Sequence, residues 1–123
     1  MTNRYMPFDD AARYLRMGRS VEQWLGATEQ GDLRWLALSR NSAGRFELKR
    51  FAVEDDGSVD FLDVYAFTPL DPDDEFETML VDDDELTVLR HAVEALGAKD
   101  ARFVNPGLMQ VEYADALALP KRK

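Results

Sequence analysis

Leu33-Arg34-Trp35-Leu36-Ala37-Leu38-Ser39-Arg40, then Asn41-Ser42-Ala43-Gly44, then Arg45-Phe46-Glu47-Leu48-Lys49-Arg50-Phe51-Ala52-Val53-Glu54 is the stretch from which the fold is read. Both flanking runs are rich in aromatic and aliphatic residues, and the four residues between them have the chemistry of a hairpin turn. In the second run Phe46, Leu48 and Ala52 fall on one side, with Glu47 and Lys49 on the other, the alternation of a strand with one covered face. Asp55-Asp56-Gly57 is a second turn signal, and Ser58–Phe67 after it is extended in character. Leu62, Val64 and Ala66 oppose Phe61, Tyr65 and Phe67 there, so a strand apolar on both faces is expected, central or covered on both sides. The reading is a three-stranded antiparallel meander over about 33–67.

Working outward, the N-terminal segment reads as helical in two pieces. Asp9 and Asp10 can cap Ala11–Met17, and Gly18 is placed to stop it. Ser20 with Gln23 has capping-box spacing and starts a second run, Val21 to about Ala27, with Trp24 and Leu25 on its buried face. On the C-terminal side, Pro69 and Pro72 make the segment Thr68–Asp74 a loop. Glu75–Val81 fits a short edge strand. Asp82 and Glu85 form a capping pair for a helix that runs to Leu96 (about 83–96), with Leu86, Leu89, Val93 and Leu96 as its stripe and Gly97 as its stop. Ala101–Asn105 and Leu108–Tyr113 read as a hairpin about Pro106-Gly107, and 119–123 as a frayed basic tail. The expected fold is a single α+β domain over 1–123: an N-terminal helical segment, the meander, one long helix packed on the sheet and a C-terminal β-hairpin.

Length supports one core rather than two, and roughly 65% of the unfolded chain's surface is buried at this size, so no metal or cross-link is required. The absence of cysteine excludes disulfides, Cys-type zinc sites and a thiol nucleophile. Neither a signal peptide nor an apolar run of about 18 residues is visible, so a cytoplasmic protein is expected.

Charge is the unusual feature. Net charge is −9, yet residues 1–50 carry nine Arg/Lys against six Asp/Glu, and 51–123 carry six against eighteen. From Glu54 to Glu85 there are fourteen acids and no base. A phosphate-tracking basic surface is missing, which excludes direct nucleic-acid binding, and an anionic membrane is disfavoured likewise.

Few constellations point to chemistry. The single histidine, His91, lies nearly opposite the apolar stripe of its helix and is expected to face solvent, not to serve a catalytic relay. Asp60 and Asp63 lie on opposite faces of the expected strand and do not converge as a glycosidase pair must. Asp71, Asp73, Glu75, Glu77 and Asp82 occupy positions 1, 3, 5, 7 and 12 of an EF-hand-like loop, but Phe76 stands where glycine is needed and Asp82 where glutamate is. No catalytic residue, metal ligand or cofactor is therefore assigned. Trp24, Trp35, Phe51, Phe61, Tyr65 and Phe67 are most economically core; any exposed beside the acids would serve as interface anchors.

The acids remain. Asp82, Asp83, Asp84 and Glu85 suit a helix N-terminus, each contributing about 0.3–1 kcal/mol. Asp71, Asp73, Asp74, Glu75 and Glu77 have no such explanation, and a field of one sign is commonly used to steer a partner. The competing reading is a solvated surface aided by pairing with the arginine-rich first half. The nine residues Asp71, Asp73, Asp74, Glu75, Glu77, Asp82, Asp83, Asp84 and Glu85 are the candidate partner-binding set.

Phe61-Leu62-Asp63-Val64-Tyr65-Ala66-Phe67 followed by the acidic loop Asp71–Glu77, in a small cysteine-free α+β chain, resembles the bacterial immunity proteins of contact-dependent growth inhibition and related polymorphic toxin systems. The resemblance implies a cytoplasmic, non-enzymatic inhibitor that neutralises a basic, nuclease-type toxin domain through an acidic face, and it transfers no catalytic residue. The alternative is a small-ligand-binding protein or small enzyme with a pocket between the meander and the 83–96 helix.

Overall fold

In a computed structural model, which describes residues 4–58 and 60–118, the Leu33–Val53 stretch forms the hairpin that its sequence dictates. Strands β2 (Leu33–Arg40) and β3 (Phe46–Val53) pair antiparallel from Leu33↔Val53 to Arg40↔Phe46. Asn41 organises the turn: its carboxamide oxygen accepts from the backbone N–H groups of Ala43 and Arg45, both at 3.0 Å, and Gly44 takes φ +80°. Two further strands complete a four-stranded antiparallel sheet in the order β1-β2-β3-β4, with β1 at Val21–Ala27 and β4 at Phe76–Asp82.

Both faces of this sheet are covered, because β2 is apolar on both: Leu36 and Leu38 point one way, Leu33 and Trp35 the other, and all four are buried. The first face, with Val21, Phe46 and Leu48, packs under helix α1 (Phe8–Arg16) through Ala11, Ala12 and Leu15. Helix α2 (Glu85–Ala95) covers the same face through Val88, Leu89 and Ala92. The second face, with Val53, packs under Val64 and Phe67 and under Met109 and Tyr113 of helix α3 (Met109–Ala118). Each fully buried large aliphatic side chain contributes about 1.5–3 kcal/mol.

Four sequence expectations are corrected. Val21–Ala27 is an edge strand, not a helix: Val21 and Gln23 are buried on a period of two, and Gln23 is held at its position by Lys99, whose carbonyl accepts from its amide (2.9 Å) and whose N–H donates to it (2.6 Å). Ser58–Phe67 is not a strand; its described residues form an irregular cover with one 3₁₀ turn at Val64–Ala66, and the meander's last strand is β4 instead. Gly57 seats that cover, for a Cβ there would stand 2.5 Å from both the Phe67 ring and the Tyr113 hydroxyl. The C-terminal hairpin is absent: Phe103 and Val104 make isolated bridges to Met6 and Glu22, and Pro106-Gly107 leads into α3. Finally, Asp82 belongs to β4, so the cap of α2 falls to Asp84, whose carboxylate accepts from the Leu86 N–H at 3.1 Å. The expected basic tail, 119–123, lies outside the described residues. No helix among the described residues is long and apolar enough to cross a membrane.

Candidate functional site

The nine carboxylates expected to bind a partner are divided by the fold into two groups at opposite ends of β4. Phe51 pairs with Phe76 and Phe46 with Asp82, so the strand separates Asp71–Glu77 from Asp82–Glu85. Glu77 and Asp82 are five residues apart, roughly 17 Å along an extended strand and about two Debye lengths at physiological salt.

The second group is engaged in holding the fold. Asp82 accepts from the Asp84 N–H (2.9 Å), Asp84 caps α2, Asp83 pairs with Arg45 (2.7 Å) and Glu85 with Arg16 (3.4 Å). Three arginines of the first half thus answer the acidic stretch, the third being Arg50, which reaches Glu77 at 2.8 Å. These are surface pairs, worth about 0–1 kcal/mol each.

The first group is different. Asp71 accepts from the Asp73 N–H (2.9 Å) to shape the loop, but among the described residues Asp71, Asp73, Asp74 and Glu75 have no Arg, Lys or His within ion-pair distance. All four are exposed. Two apolar side chains stand among them: Leu70 is 43% exposed and Phe76 38%. Leu70, Asp71 and Asp74 overhang the uncovered end of the sheet at Arg34, Arg50 and Ala52, leaving an open groove of about 640 Å³. The arginines of its floor are already held, Arg34 by Asp32 (2.9 Å) and Arg50 by Glu77.

Of the six aromatics assigned to the core, Trp35 and Phe67 are buried and Trp24 and Phe51 partly so, while Phe61 and Tyr65 are exposed. The two apolar residues at the acids are others, Leu70 and Phe76. Phe76 alternates with Glu75 and Glu77, a signal legible in the sequence; Leu70 follows Pro69 in a loop and has no local signature. His91 is partly buried on α2. No group of three or more His, Asp or Glu residues converges for a metal among the described residues. The interface between the sheet and α2, where the alternative reading places a pocket, is packed with Leu48, Val88, Leu89 and Ala92. A second groove lies on the outer side of the helices, between Pro7-Phe8-Asp9 and Arg90, Val93 and Glu94 of α2.

Two polar clusters that no local pattern announces sit at the other side of the molecule. The Tyr65 hydroxyl donates to Glu22 Oε1 (2.7 Å) and accepts from the N–H groups of Gly107 and Met109, both at 3.1 Å. Burial pushes the Glu22 carboxyl above the ordinary carboxylate value, partly offset by the Tyr65 hydroxyl and by the Gly107 N–H, which also donates to Glu22 Oε1 (3.2 Å), and burial raises the Tyr65 phenol as well. Nearby, Glu112, only 5% exposed, accepts from the Tyr5 hydroxyl (2.6 Å) and pairs with Arg4, while Arg102 lies over the Tyr5 ring at 4.1 Å. Each charged and hydroxyl group here has its partner, and both clusters fasten chain segments to β1 and α3.

Set beside known proteins, the chain matches no family model, no curated protein and no solved structure.

Proposed function

We propose that this chain is a non-enzymatic binding protein that captures a basic protein partner on the surface made by Asp71, Asp73, Asp74 and Glu75 with Leu70 and Phe76. The observation that carries the reading is the company these carboxylates keep: two exposed apolar side chains, and no base within ion-pair distance among the described residues. Interfaces draw most of their binding energy from a few buried apolar or aromatic anchors, while surrounding charge governs encounter rate and choice of partner. Leu70 and Phe76 supply the first and the acids the second. Asp82–Glu85 are given a smaller part, because capping and ion pairs account for them.

The resemblance to immunity proteins gives this reading its biological form, a cognate toxin domain of basic, nuclease type occluded by the acidic face. The test is titration of basic toxin nuclease domains against the chain at low and high salt. Binding should weaken steeply with salt, and the combined change Asp71→Asn, Asp73→Asn, Asp74→Asn, Glu75→Gln should slow association at least tenfold. An unchanged association rate in that variant would remove this surface from consideration.

A further inference from the structure

Trp24, Trp35, Phe51 and Phe76 are register partners in series across all four strands. Their rings form a ladder on one face of the sheet, with centroids 6.4, 5.1 and 5.6 Å apart from β1 to β4. Cross-strand aromatic pairs contribute roughly 0.2–1 kcal/mol each, and the gain depends on a neighbour at strand spacing. Trp35 and Phe51 have such a neighbour on both sides. Phe76 has Phe51 on one side and the Lys49 ammonium 4.3 Å from its ring centroid, and no aromatic neighbour on the other side among the described residues, where it is 38% exposed.

The backbone ends in the same way. Among the described residues β4 is bridged only to β3, and Phe76–Asp82 make no backbone hydrogen bond to any other segment. On the opposite face Glu77, the partner of Arg50, stands at the same edge. The edge therefore presents unpaired N–H and C=O groups, an unfinished aromatic ladder on one face and carboxylate on the other. A strand added at Glu75-Phe76-Glu77 would meet acidic and apolar surface on alternate residues, and further along, past the register shift at Met79, it would meet Leu80 and Val81.

We infer that β4 receives an extended segment of the basic partner as a fifth strand, with a β-branched or aromatic side chain opposite Phe76 and Lys or Arg opposite Glu77. This rests on the basic-partner reading and specifies how that partner is held. A second copy of the chain is a poor occupant, because antiparallel pairing of two β4 edges sets the Glu75–Glu77 end of each copy against the Asp82–Asp83 end of the other, and like charges across a strand pair repel. A segment alternating basic and apolar residues meets both faces at once, and main-chain pairing supplies affinity while side chains on alternate positions select.

The experiment uses an acetylated and amidated octapeptide of alternating Lys and Val, and the same peptide N-methylated at every backbone nitrogen, which keeps the charge and removes the donors. Both are titrated into the full chain at low salt, with amide NMR shifts recorded. The unmodified peptide should bind at least tenfold more tightly and shift the amides of Phe76–Leu80. Equal binding of the two peptides overturns strand addition while leaving the acidic face intact as a docking surface. Failure of both to bind, with basic toxin domains still captured in a salt-dependent way, also overturns it; failure of every basic probe removes the underlying reading as well. Self-association of the chain through β4, seen as dimer formation that Phe76→Asp abolishes, overturns it in favour of a homodimer.

Discussion

The two edges of the sheet are finished in opposite ways. At β1, Val104 exchanges two backbone hydrogen bonds with Glu22 (2.9 and 2.8 Å), Gln23 is clasped by Lys99, and Tyr65 ties Glu22 to the start of α3. At β4 the first three residues are exposed and no segment pairs with the outer backbone among the described residues. Proteins commonly blunt an open edge with charge, and here Glu77 stands on the open strand with Glu75 just before it. The contrast shows one edge closed by the chain itself and the other open, the edge to which the proposed partner is assigned.

That division is open to measurement. Its largest consequence concerns two phenylalanines. Phe103, fully buried beside β1, should cost about 3–5 kcal/mol when changed to Ala, whereas Phe76→Ala should cost about 1 kcal/mol or less and act on partner binding instead. Urea unfolding of both variants decides it; a Phe76→Ala penalty comparable to that of Phe103→Ala would erase the distinction between the edges.

A smaller loss is expected at Gln23. Truncation to Ala leaves the N–H and C=O of Lys99 without their partner at the buried edge, for about 1–3 kcal/mol. Hydrogen exchange should then rise first in β1 and at Phe103-Val104 and leave β4 unaltered; a uniform rise would show that the clasp is not local.

The smallest effect is a pH dependence at Glu22. Burial raises its folded-state pKa, so the stability it contributes is fully present below its unfolded pKa and is lost as pH rises through the folded one. Glu22→Gln keeps an acceptor for Tyr65 and removes the titration. The variant should therefore gain on the parent as pH rises from the ordinary carboxylate range toward neutrality, in thermal unfolding. A difference that stays constant over that interval would mean that ionised Glu22 is not penalised by the fold.

The sequence was readable where local chemistry and tertiary role agree. The β2–β3 hairpin has its turn residues at the turn and its alternation on the strands; Gly18 and Gly97 sit just beyond α1 and α2 with positive φ, as stops should. It misled where a buried polar residue disguised the period. Gln23 hid the alternation of β1 and, with Ser20, imitated a capping box. Glu112 hid the helical spacing Met109, Glu112, Tyr113, leaving Met109, Val111 and Tyr113 to imitate a strand; only Arg4, Tyr5 and Arg102, distant in sequence, make its burial tolerable. Ser58–Phe67 failed for a third reason, since an apolar segment covering a sheet looks locally like one inside it. The acidic residues of the candidate site were fully visible, but their division along β4 was not, because it follows from strand register, which no local pattern states.

The clamp that joins Arg4 and Tyr5 to Glu112 and Asp115 has a geometric corollary. It gathers the first described residues and the last helix at the β1 side, three strand spacings or about 14 Å from β4. A label placed at Arg4 or at Asp115 would therefore sit across the sheet from β4, the edge proposed to receive a partner.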